Sequence, residues 1–289
     1  MTSTIPSPTV APAKRVKFQV IRLIRRAGLL RAADRCRFEV RRLRTASANR
    51  RFLASHPEFV PPPRDLAFDA YNHFLWSEYL AGGKRHAEFF TKIVTSAIPN
   101  GPLRVLEWGC GPARITRHLP ALYGSRLERL VATDYNPRTI DWCRRALPGI
   151  VFETNGLLPP LAVPDGAFNA TFNFSVFTHL SREVQLAWVA EMLRVLSPGG
   201  IMVCTTQGLG FRHLLSSEQE RAQFDAGQLV VQGHYKEGAK WFFAIHPEDY
   251  VRRELLAGFA TVERIPTRVS DGLPEELATQ DFWLARKAG

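Results

Sequence analysis

The stretch Val105-Leu106-Glu107-Trp108-Gly109-Cys110-Gly111-Pro112 decides the fold, because an apolar strand runs into two glycines and then into a helix-compatible segment. Glycine adopts positive φ values easily and lets the backbone approach a ligand. The amino end of a following helix favours negative charge. The stretch therefore predicts a nucleotide-type ligand at the carboxyl edge of a sheet. The dinucleotide-binding pattern needs a third glycine, and Arg114 occupies that position, which argues against a dehydrogenase.

Short β-rich runs alternate with amphipathic stretches downstream of Pro102, a pattern typical of repeated βαβ units in an α/β fold. We predict strands near 103–108, 128–133, 150–154, 168–174 and 200–206, and helices near 113–122, 137–146 and 182–196. A long insertion over 208–246 contains a strand-like Leu229–Gln232. A helix at 247–257, an apolar Phe259–Ile265 and a hairpin strand at Asp281–Arg286 are expected to complete the domain.

The amino-terminal quarter of the chain has a different composition. Pro57 and the run Pro61-Pro62-Pro63 interrupt regular structure and mark a linker. We therefore place a domain boundary near residue 64, with residues 1–63 as a leader, an arm and a linker, and 64–289 as the main domain. Within the main domain, residues 64–100 are expected to form lid helices that cover the rest of it.

Positive charge is concentrated in the arm. The chain carries 38 Lys/Arg and 27 Asp/Glu, for a net charge of +11. Residues 14–51 hold fourteen of the basic residues and only two acidic ones, Asp34 and Glu39, so the rest of the chain is nearly neutral. Apolar residues recur at helical spacing between Val16 and Leu43. This spacing predicts a basic amphipathic helix, or a pair of helices broken at Gly28, attached to an electrostatically ordinary domain.

The cysteines and the apolar segments restrict the cellular setting. Four cysteines, at 36, 110, 143 and 204, form no C-x-x-C pair and have no histidine at zinc-ligand spacing. We therefore expect neither a disulfide framework nor a metal site. No run of about 18 apolar residues is present, so we expect no membrane-spanning helix. Residues 1–13 are uncharged and rich in proline, serine and threonine, which predicts a disordered leader and argues against a secretory signal. The unpaired cysteines favour a reducing, cytoplasmic setting. An organelle transit peptide is the alternative for this arginine-rich, acid-poor end of the chain.

Three further motifs come after the glycine turn in order. Asp134 ends the second predicted strand, Pro164-Asp165-Gly166 with Phe168 opens the fourth, and the segment 194–200 leads into the fifth. Together with the glycine turn, these motifs resemble the class I S-adenosylmethionine-dependent methyltransferases over roughly residues 80–207. The resemblance implies a Rossmann-like, doubly wound, mostly parallel seven-stranded sheet with an antiparallel last strand. It also implies S-adenosylmethionine as the cofactor.

The residues implied to hold the cofactor lie at the carboxyl ends of the first four strands. They are Glu107, Gly109, Gly111, Asp134, Tyr135, Asn136, Asn155, Gly156, Asn173, Phe174 and Ser175. By the resemblance, Glu107 and the glycines border the methionine end, Asp134 accepts the ribose hydroxyls, Tyr135 or Asn136 lies beside the adenine, and residues 173–175 face the amino group. The family usually has an acidic residue where Asn155 stands, but an amide oxygen can also accept from the adenine amino group.

The cofactor also needs an apolar cover. Tyr71, Trp76 and Tyr79 are expected to form a lid over it, with Tyr79 among the cofactor contacts, although ordinary core packing is the alternative. Gly82-Gly83 is expected to be a hinge between this lid helix and a second helix over Lys84–Ala97.

Methyl transfer from a sulfonium mainly requires alignment, since the electrophile is already activated. A side chain with a pKa near 7 would help a hydroxyl acceptor lose its proton. His179, just after the fourth strand, is the first candidate base, unless it caps the next helix or packs against Phe177. His246, before Pro247, is the second candidate, unless it is a solvated loop residue.

The segment after the fourth strand narrows the choice of acceptor. The Asp/Asn-Pro-Pro-aromatic segment of nucleobase amino methyltransferases is missing there, and so is a cysteine for pyrimidine C5 chemistry. The order of segments is similar to bacterial methyltransferases of small-molecule and surface-glycan pathways. We therefore predict O-methylation of a hydroxyl on a glycan or another small acceptor. The alternatives are methylation of RNA or protein with the arm as a clamp, and an inactive adaptor that keeps the adenosyl-binding fold.

For the arm we predict contact between residues 14–51 and an anionic membrane surface, which would hold a cytoplasmic enzyme at the inner face of the membrane. Nucleic acid is less favoured, because few aromatic residues are interleaved with the arginines. A solvated or partner-docking helix is the remaining alternative.

Overall fold

The computed structural model describes residues 30–233, 235–267 and 275–289, so the predicted leader and the first half of the arm lie outside the described residues. The strands are β1 (Leu103–Trp108), β2 (Leu127–Asp134), β3 (Val151–Thr154), β4 (Phe168–Phe172), β5 (Leu196–Thr206), β6 (Val230–Gln232), β7 (Phe243–Ile245), β8 (Thr261–Ile265) and β9 (Asp281–Arg286). The helices are α1 (Leu30–Ser55), α2 (Arg64–Tyr71), α3 (Trp76–Ala97), α4 (Leu119–Tyr123), α5 (Pro137–Ala146), α6 (Arg182–Val195), α7 (Glu218–Asp225), α8 (Glu248–Tyr250) and α9 (Glu275–Ala278). Shorter 3₁₀ turns occupy Thr116–His118, Gly124–Arg126, Phe177–His179 and Leu209–Leu214, and a π turn occupies Val251–Leu255.

Seven strands form one sheet in the order β3-β2-β1-β4-β5-β9-β8. Strands β1 to β5 pair in parallel, and β9 is antiparallel to both of its neighbours, β5 and β8. This topology confirms the Rossmann-like, doubly wound sheet with an antiparallel last strand. Strands β6 and β7 form a separate antiparallel ribbon in the insertion. The strand order reverses between β1 and β4, so the loops after these strands diverge and open a crevice at their carboxyl ends.

Helices cover both faces of the sheet and fix the ends of the strands. On one face, Phe90 and Val94 of α3 pack against residues of β1 and β4. On the other face, Trp188 and Met192 of α6 belong to a second core. The Trp108 ring, at the end of β1, stacks on Trp188 with 4.5 Å between centroids. This buried aromatic pair anchors the point at which the glycine turn begins.

Two predictions near the glycine turn are wrong. Residues 113–115 form a turn instead of the start of a helix, because Ala113 has a positive φ of 54°, and the 3₁₀ turn begins only at Thr116. The expected hinge at Gly82-Gly83 is also wrong, since α3 runs unbroken from Trp76 to Ala97. Gly83 serves close packing instead: a Cβ there would lie 2.1 Å from the Arg114 carbonyl oxygen.

Helix α1 extends to Ser55, well beyond the predicted end at Leu43, because its carboxyl half packs on the main domain. The buried Asn49 side chain donates to the Phe74 carbonyl oxygen at 2.8 Å and accepts from the Trp76 amide at 2.9 Å. The domain boundary near residue 64 stays a prediction. None of the described helices is long and apolar enough to cross a membrane.

Candidate active site

The crevice at the carboxyl ends of β1, β2, β3 and β4 contains a cavity of about 430 Å³, a size typical of small-molecule sites. Its walls come from the loops after these strands, from α2 and the turn behind it, and from the insertion. The predicted site residues that line it are Gly109, Gly111, Asp134, Tyr135, Asn136, Asn155, Gly156, Phe174, Ser175 and His179. Side chains from distant parts of the sequence therefore meet in one cavity.

The glycine turn after β1 has a backbone that only glycine adopts without strain. Gly109 has a φ of 79° and Gly111 a φ of 52°. A Cβ on Gly109 would lie 2.3 Å from Cγ2 of Val176, and one on Gly111 would lie 3.0 Å from the Tyr71 hydroxyl oxygen. The Gly109 amide donates to the Thr133 carbonyl oxygen at 2.8 Å, which ties the turn to β2. The turn therefore has no room for a side chain at Gly109 and little room for one at Gly111.

Asp134 ends β2 with its carboxylate held in place by the backbone. The Gly111 amide donates to Oδ2 at 3.0 Å, and the Asn136 amide donates to Oδ1 at 2.9 Å. Burial raises the pKa of Asp134 to about 6, and the two backbone hydrogen bonds oppose this rise. The group is therefore mainly ionised at neutral pH. Each oxygen keeps a further lone pair, so the carboxylate can accept two ribose hydroxyls.

Asn155 follows β3 in the wall of the same cavity. Its Nδ2 donates to the Gly156 carbonyl oxygen at 2.7 Å, which orients the amide. Its Oδ1 is buried and has no hydrogen-bond partner among the described residues. An unsatisfied buried acceptor in a cavity wall suits a ligand amino group, so this atom fits the expected adenine contact. Tyr135 is 39% exposed, and Asn136 caps α5 by accepting from the Arg138 amide at 3.1 Å.

Glu107 does not line the cavity but lies behind the glycine turn. Its buried Oε2 accepts from the Thr116 hydroxyl at 2.5 Å. Burial raises the pKa of Glu107 to about 8, while the Thr116 hydrogen bond and the charge of Arg114 oppose this rise. The carboxyl group thus connects β1 to the 3₁₀ turn after the glycines. Because Glu107 lies outside the cavity, it would contribute to the methionine end of the cofactor site by holding this turn in place.

The loop after β4 carries local strain. Ser175 has a φ of 61°, which is unfavourable for a residue with a side chain, and its amide donates to Oγ1 of Thr205 at 2.7 Å. Phe174 and Ser175 line the cavity. Asn173 is buried outside it, and neither of its side-chain polar atoms has a hydrogen-bond partner within the described residues. Strained backbone of this kind is concentrated at ligand-binding loops.

His179 lies in the cavity wall with one ring nitrogen already engaged. Its Nδ1 is 2.9 Å from the Phe242 carbonyl oxygen, which can only accept, so Nδ1 carries the proton and Nε2 has a free lone pair. Burial lowers the pKa of His179, although the Phe242 hydrogen bond and the charge of Asp69 oppose this effect. The ring is therefore neutral at physiological pH. A neutral imidazole in a cavity wall can take a proton from a bound acceptor.

The structure corrects the predictions for His246 and Tyr79. His246 is neither solvated nor in the cavity: it is fully buried after β7, and burial lowers its pKa to about 3. Tyr79 is also fully buried, and its hydroxyl donates to the Pro112 carbonyl oxygen, so it supports the glycine turn from behind. Trp76 packs in the same aromatic cluster. Of the three expected lid residues, Tyr71 alone lines the cavity.

Sequence reasoning missed a charged group in the cavity wall. Asp69 of α2 and Lys240 of the insertion both line the cavity, and Lys240 Nζ lies 3.8 Å from Asp69 Oδ1. Nζ also lies 2.5 Å from Oδ2 of Asp34 on α1. Burial raises the pKa of Asp69, and the charge of Lys240 opposes this rise. The only local sign that Asp69 belongs to the site was its position two residues before the predicted lid residue Tyr71 on the same helix. Lys240 lies in an irregular loop, where no sequence pattern marks a site residue.

Comparisons with known proteins agree with this geometry. Residues 105–200 match the family model described as a methyltransferase domain, a segment that runs from within β1 through β4 and includes the loops after these strands. A probable S-adenosylmethionine-dependent methyltransferase of Mycolicibacterium smegmatis is 33% identical over 107 residues, which are 35% of this chain and 37% of that relative. The matched part thus spans little more than a third of that protein's length.

Two further similarities extend over more of the chain. N-demethylindolmycin N-methyltransferase of Streptomyces griseus is 25% identical over 209 residues, covering 63% of this chain and 80% of the relative. The crystal structure of DesVI from Streptomyces venezuelae superposes with a TM-score of 0.52 at 15% identity, covering 80% of this chain and 100% of that one. The latter similarity concerns the fold alone.

Proposed function

This chain contains a class I S-adenosylmethionine-dependent methyltransferase domain, and from that premise we propose that the protein methylates a hydroxyl group of a small-molecule or glycan acceptor, with His179 as general base. The observation that carries the proposal is the hydrogen bond from His179 Nδ1 to the Phe242 carbonyl oxygen at 2.9 Å. This bond sets the tautomer with a basic Nε2 in the wall of the cavity that also contains Asp134 and the glycine turn.

The cofactor end of the cavity fits S-adenosylmethionine. The Asp134 carboxylate would accept the ribose hydroxyls, and Asn155 Oδ1 would accept from the adenine amino group. The backbone at Gly109 and Gly111 lines the cavity and would lie beside the chain between ribose and methionine. When bound, S-adenosylmethionine supplies a methyl group on a positively charged sulfur.

The protein's own contribution to the reaction is alignment and proton removal. Nε2 of His179 takes the proton that the acceptor oxygen loses as it gains the methyl group. Because burial lowers the pKa of His179, the ring is ready to accept this proton at neutral pH. The apolar side chains of Trp108, Val176 and Leu180 line the same cavity and limit the access of water.

A hydroxyl acceptor makes fuller use of this base than an amine does, because a neutral amine attacks before it loses a proton. Asp69, Asn72 and Lys240 add polar groups to the cavity wall, as a sugar ring with several hydroxyls requires. N-methylation of a small molecule is the second candidate function. It is favoured by the similarity to N-demethylindolmycin N-methyltransferase, which covers 80% of that relative.

Two measurements test the proposal. Titration calorimetry should detect binding of S-adenosylmethionine to the wild type and a loss of binding in Asp134→Ala. The protein is then incubated with S-adenosylmethionine that carries a labelled methyl group and, in separate reactions, with the small-molecule, lipid, RNA and protein fractions of a bacterial extract. We expect label in the small-molecule or lipid fraction as a methyl ether. An N-methyl product would support the second candidate, label in RNA or protein would overturn both, and cofactor binding without any transfer would indicate an adaptor.

We also propose that the arm contacts an anionic membrane surface at the cytoplasmic side. The described part of the arm carries exposed arginines, which are Arg35, Arg37, Arg42, Arg44, Arg50 and Arg51, and between them Val40 is 39% and Leu43 70% exposed. Cations around an exposed apolar stripe suit a bilayer interface. Vesicles with phosphatidylserine should bind the full chain at low salt and not a chain without residues 1–60. Equal binding by both would contradict the proposal, and binding to RNA alone would support a nucleic-acid clamp.

A further inference from the structure

We propose that Asp34, on helix α1, is a positioning residue for the acceptor: it holds Lys240 in the cavity wall, and Lys240 donates a hydrogen bond to an oxygen of the acceptor. This inference rests on the proposed methyl transfer. It concerns a helix outside the matched residues 105–200, and it makes α1 part of the acceptor site as well as the carrier of basic charge.

The contacts of Lys240 define its orientation. Nζ lies 2.5 Å from Asp34 Oδ2, and the two side chains are only 14% and 16% exposed. The ammonium also lies 4.5 Å from the centroid of the Phe68 ring. A close ion pair that is mostly withdrawn from solvent has a well-defined geometry, and it becomes costly when one partner is removed. Asp34 therefore prevents the long lysine side chain from swinging out of the wall.

The ammonium keeps hydrogen-bonding capacity for a ligand. It has three N–H donors, and the bond to Asp34 uses one. Asp69 Oδ1, at 3.8 Å, is beyond hydrogen-bond distance. Because the carboxylates of Asp34 and Asp69 flank the Lys240 ammonium, its charge is already balanced. The ammonium therefore suits a neutral acceptor oxygen better than an anionic one. Lys240 and His179 line the same cavity, and the Gly238 amide, two positions before Lys240, donates to the His179 carbonyl oxygen at 2.9 Å. An acceptor oxygen bound by Lys240 would therefore lie in the part of the cavity that contains the proposed base.

Helix α1 also supports the adjoining wall from behind. The Arg41 guanidinium donates to the carbonyl oxygen of Asn72, a cavity-lining residue with a left-handed φ of 57°. The Phe38 ring packs edge-on against Phe68 with 5.3 Å between centroids. The segment 68–73 is thus held between α1 and the cavity. Loss of the Asp34 contact would release Lys240 in the acceptor wall, whereas the Asp134 carboxylate would keep its two backbone hydrogen bonds.

The test compares three variants of the full chain. Asp34→Asn removes the charge that pairs closely with Lys240 and leaves only the more distant Asp69 carboxylate. The double variant Asp34→Asn with Lys240→Met removes both charges, so no buried charge is orphaned and α1 should stay docked. Glu39→Gln is the matched control, because it removes a negative charge from the same helix, where the pair of Glu39 with Arg42 at 2.7 Å is about half exposed. Steady-state kinetics use the unmethylated acceptor, purified from the extract fraction that takes up label, and follow transfer from labelled S-adenosylmethionine. Calorimetry uses S-adenosylmethionine, and hydrogen exchange follows residues 69–73.

In Asp34→Asn we expect KM for the acceptor to rise about tenfold, with kcat and the Kd of S-adenosylmethionine within about twofold of wild type. Hydrogen exchange at 69–73 should become faster. In the double variant, exchange should return to the wild-type rate while KM stays raised, because the donor to the acceptor is gone. Glu39→Gln should match the wild type throughout.

A wild-type KM in Asp34→Asn or in the double variant would overturn the proposal. A parallel loss of cofactor affinity would also overturn it, since the effect would then be general unfolding of the site. Failure of the proposed function is recognised separately, because the wild type would then methylate nothing. In that case faster exchange at 69–73 in Asp34→Asn, and not in Glu39→Gln, would still support the positioning contact, and unchanged exchange would refute it.

Discussion

Replacement of Gly109 by alanine tests whether the turn after β1 depends on the absence of a side chain. Gly109 has a φ of 79°, and a Cβ there would lie 2.3 Å from Cγ2 of Val176. The left-handed backbone costs an alanine about 1–2 kcal/mol. Relief of the overlap in a packed site costs about 1–3 kcal/mol more. We therefore expect Gly109→Ala to lower the free energy of unfolding by about 2–5 kcal/mol, measured by urea titration with tryptophan fluorescence.

Two comparisons separate these costs. Gly101 has a φ of 83°, and a Cβ there would meet nothing within 4 Å, so Gly101→Ala should show the backbone cost of about 1–2 kcal/mol alone. Addition of Val176→Ala to Gly109→Ala removes the overlap, so the two changes should couple by about 1–3 kcal/mol, above the roughly 0.5 kcal/mol scatter of independent sites. The reasoning is refuted if Gly109→Ala costs no more than Gly101→Ala, or if its cost and that of Val176→Ala simply add.

The titratable groups of the site carry three further predictions. Because the pKa of Asp134 is about 6, the affinity for S-adenosylmethionine should fall about tenfold per pH unit well below that value, as the carboxylate gains a proton; calorimetry should show this fall in the wild type and uniformly weak binding in Asp134→Asn. The pKa of Glu107 is about 8 in the native state against 4.5 in the unfolded chain, so its contribution to stability is full below pH 4.5 and is lost as the pH rises toward 8. Glu107→Gln should therefore gain about 2 kcal/mol relative to the wild type between pH 6 and pH 8 in urea unfolding, and a constant difference would contradict the buried acid. Since burial lowers the pKa of His179 from 6.5, the wild-type kcat should reach its plateau at a lower pH than it would with an ordinary histidine as base. His179→Gln should lower kcat by about 10²–10⁴-fold with cofactor binding intact, and equal kcat values would rule out His179 as the base.

Features that depend on neighbours in sequence were predictable. An apolar run that enters Gly109 and Gly111 specifies a strand, a left-handed turn and close backbone approach, because only glycine tolerates that turn. Asp134 was predictable because it ends a strand beside the first one, and parallel strands end at the same edge of the sheet. The alternation of strand-like and helix-like segments likewise determined the α/β class, because the spacing of apolar residues in each segment shows which face of that strand or helix is buried.

Features that depend on contacts between distant segments were decided only by the tertiary structure. Gly83 has the local signature of a hinge, but its role is set by the carbonyl oxygen of Arg114 on another element. His246 follows a short strand as a surface residue would, yet the packing of the insertion buries it completely. The contact of Asp34 with Lys240 joins positions about two hundred residues apart. Local chain stereochemistry therefore determined the proposed cofactor end of the cavity. The proposed acceptor end arises from long-range packing of α1, α2 and the insertion, which no local pattern encodes.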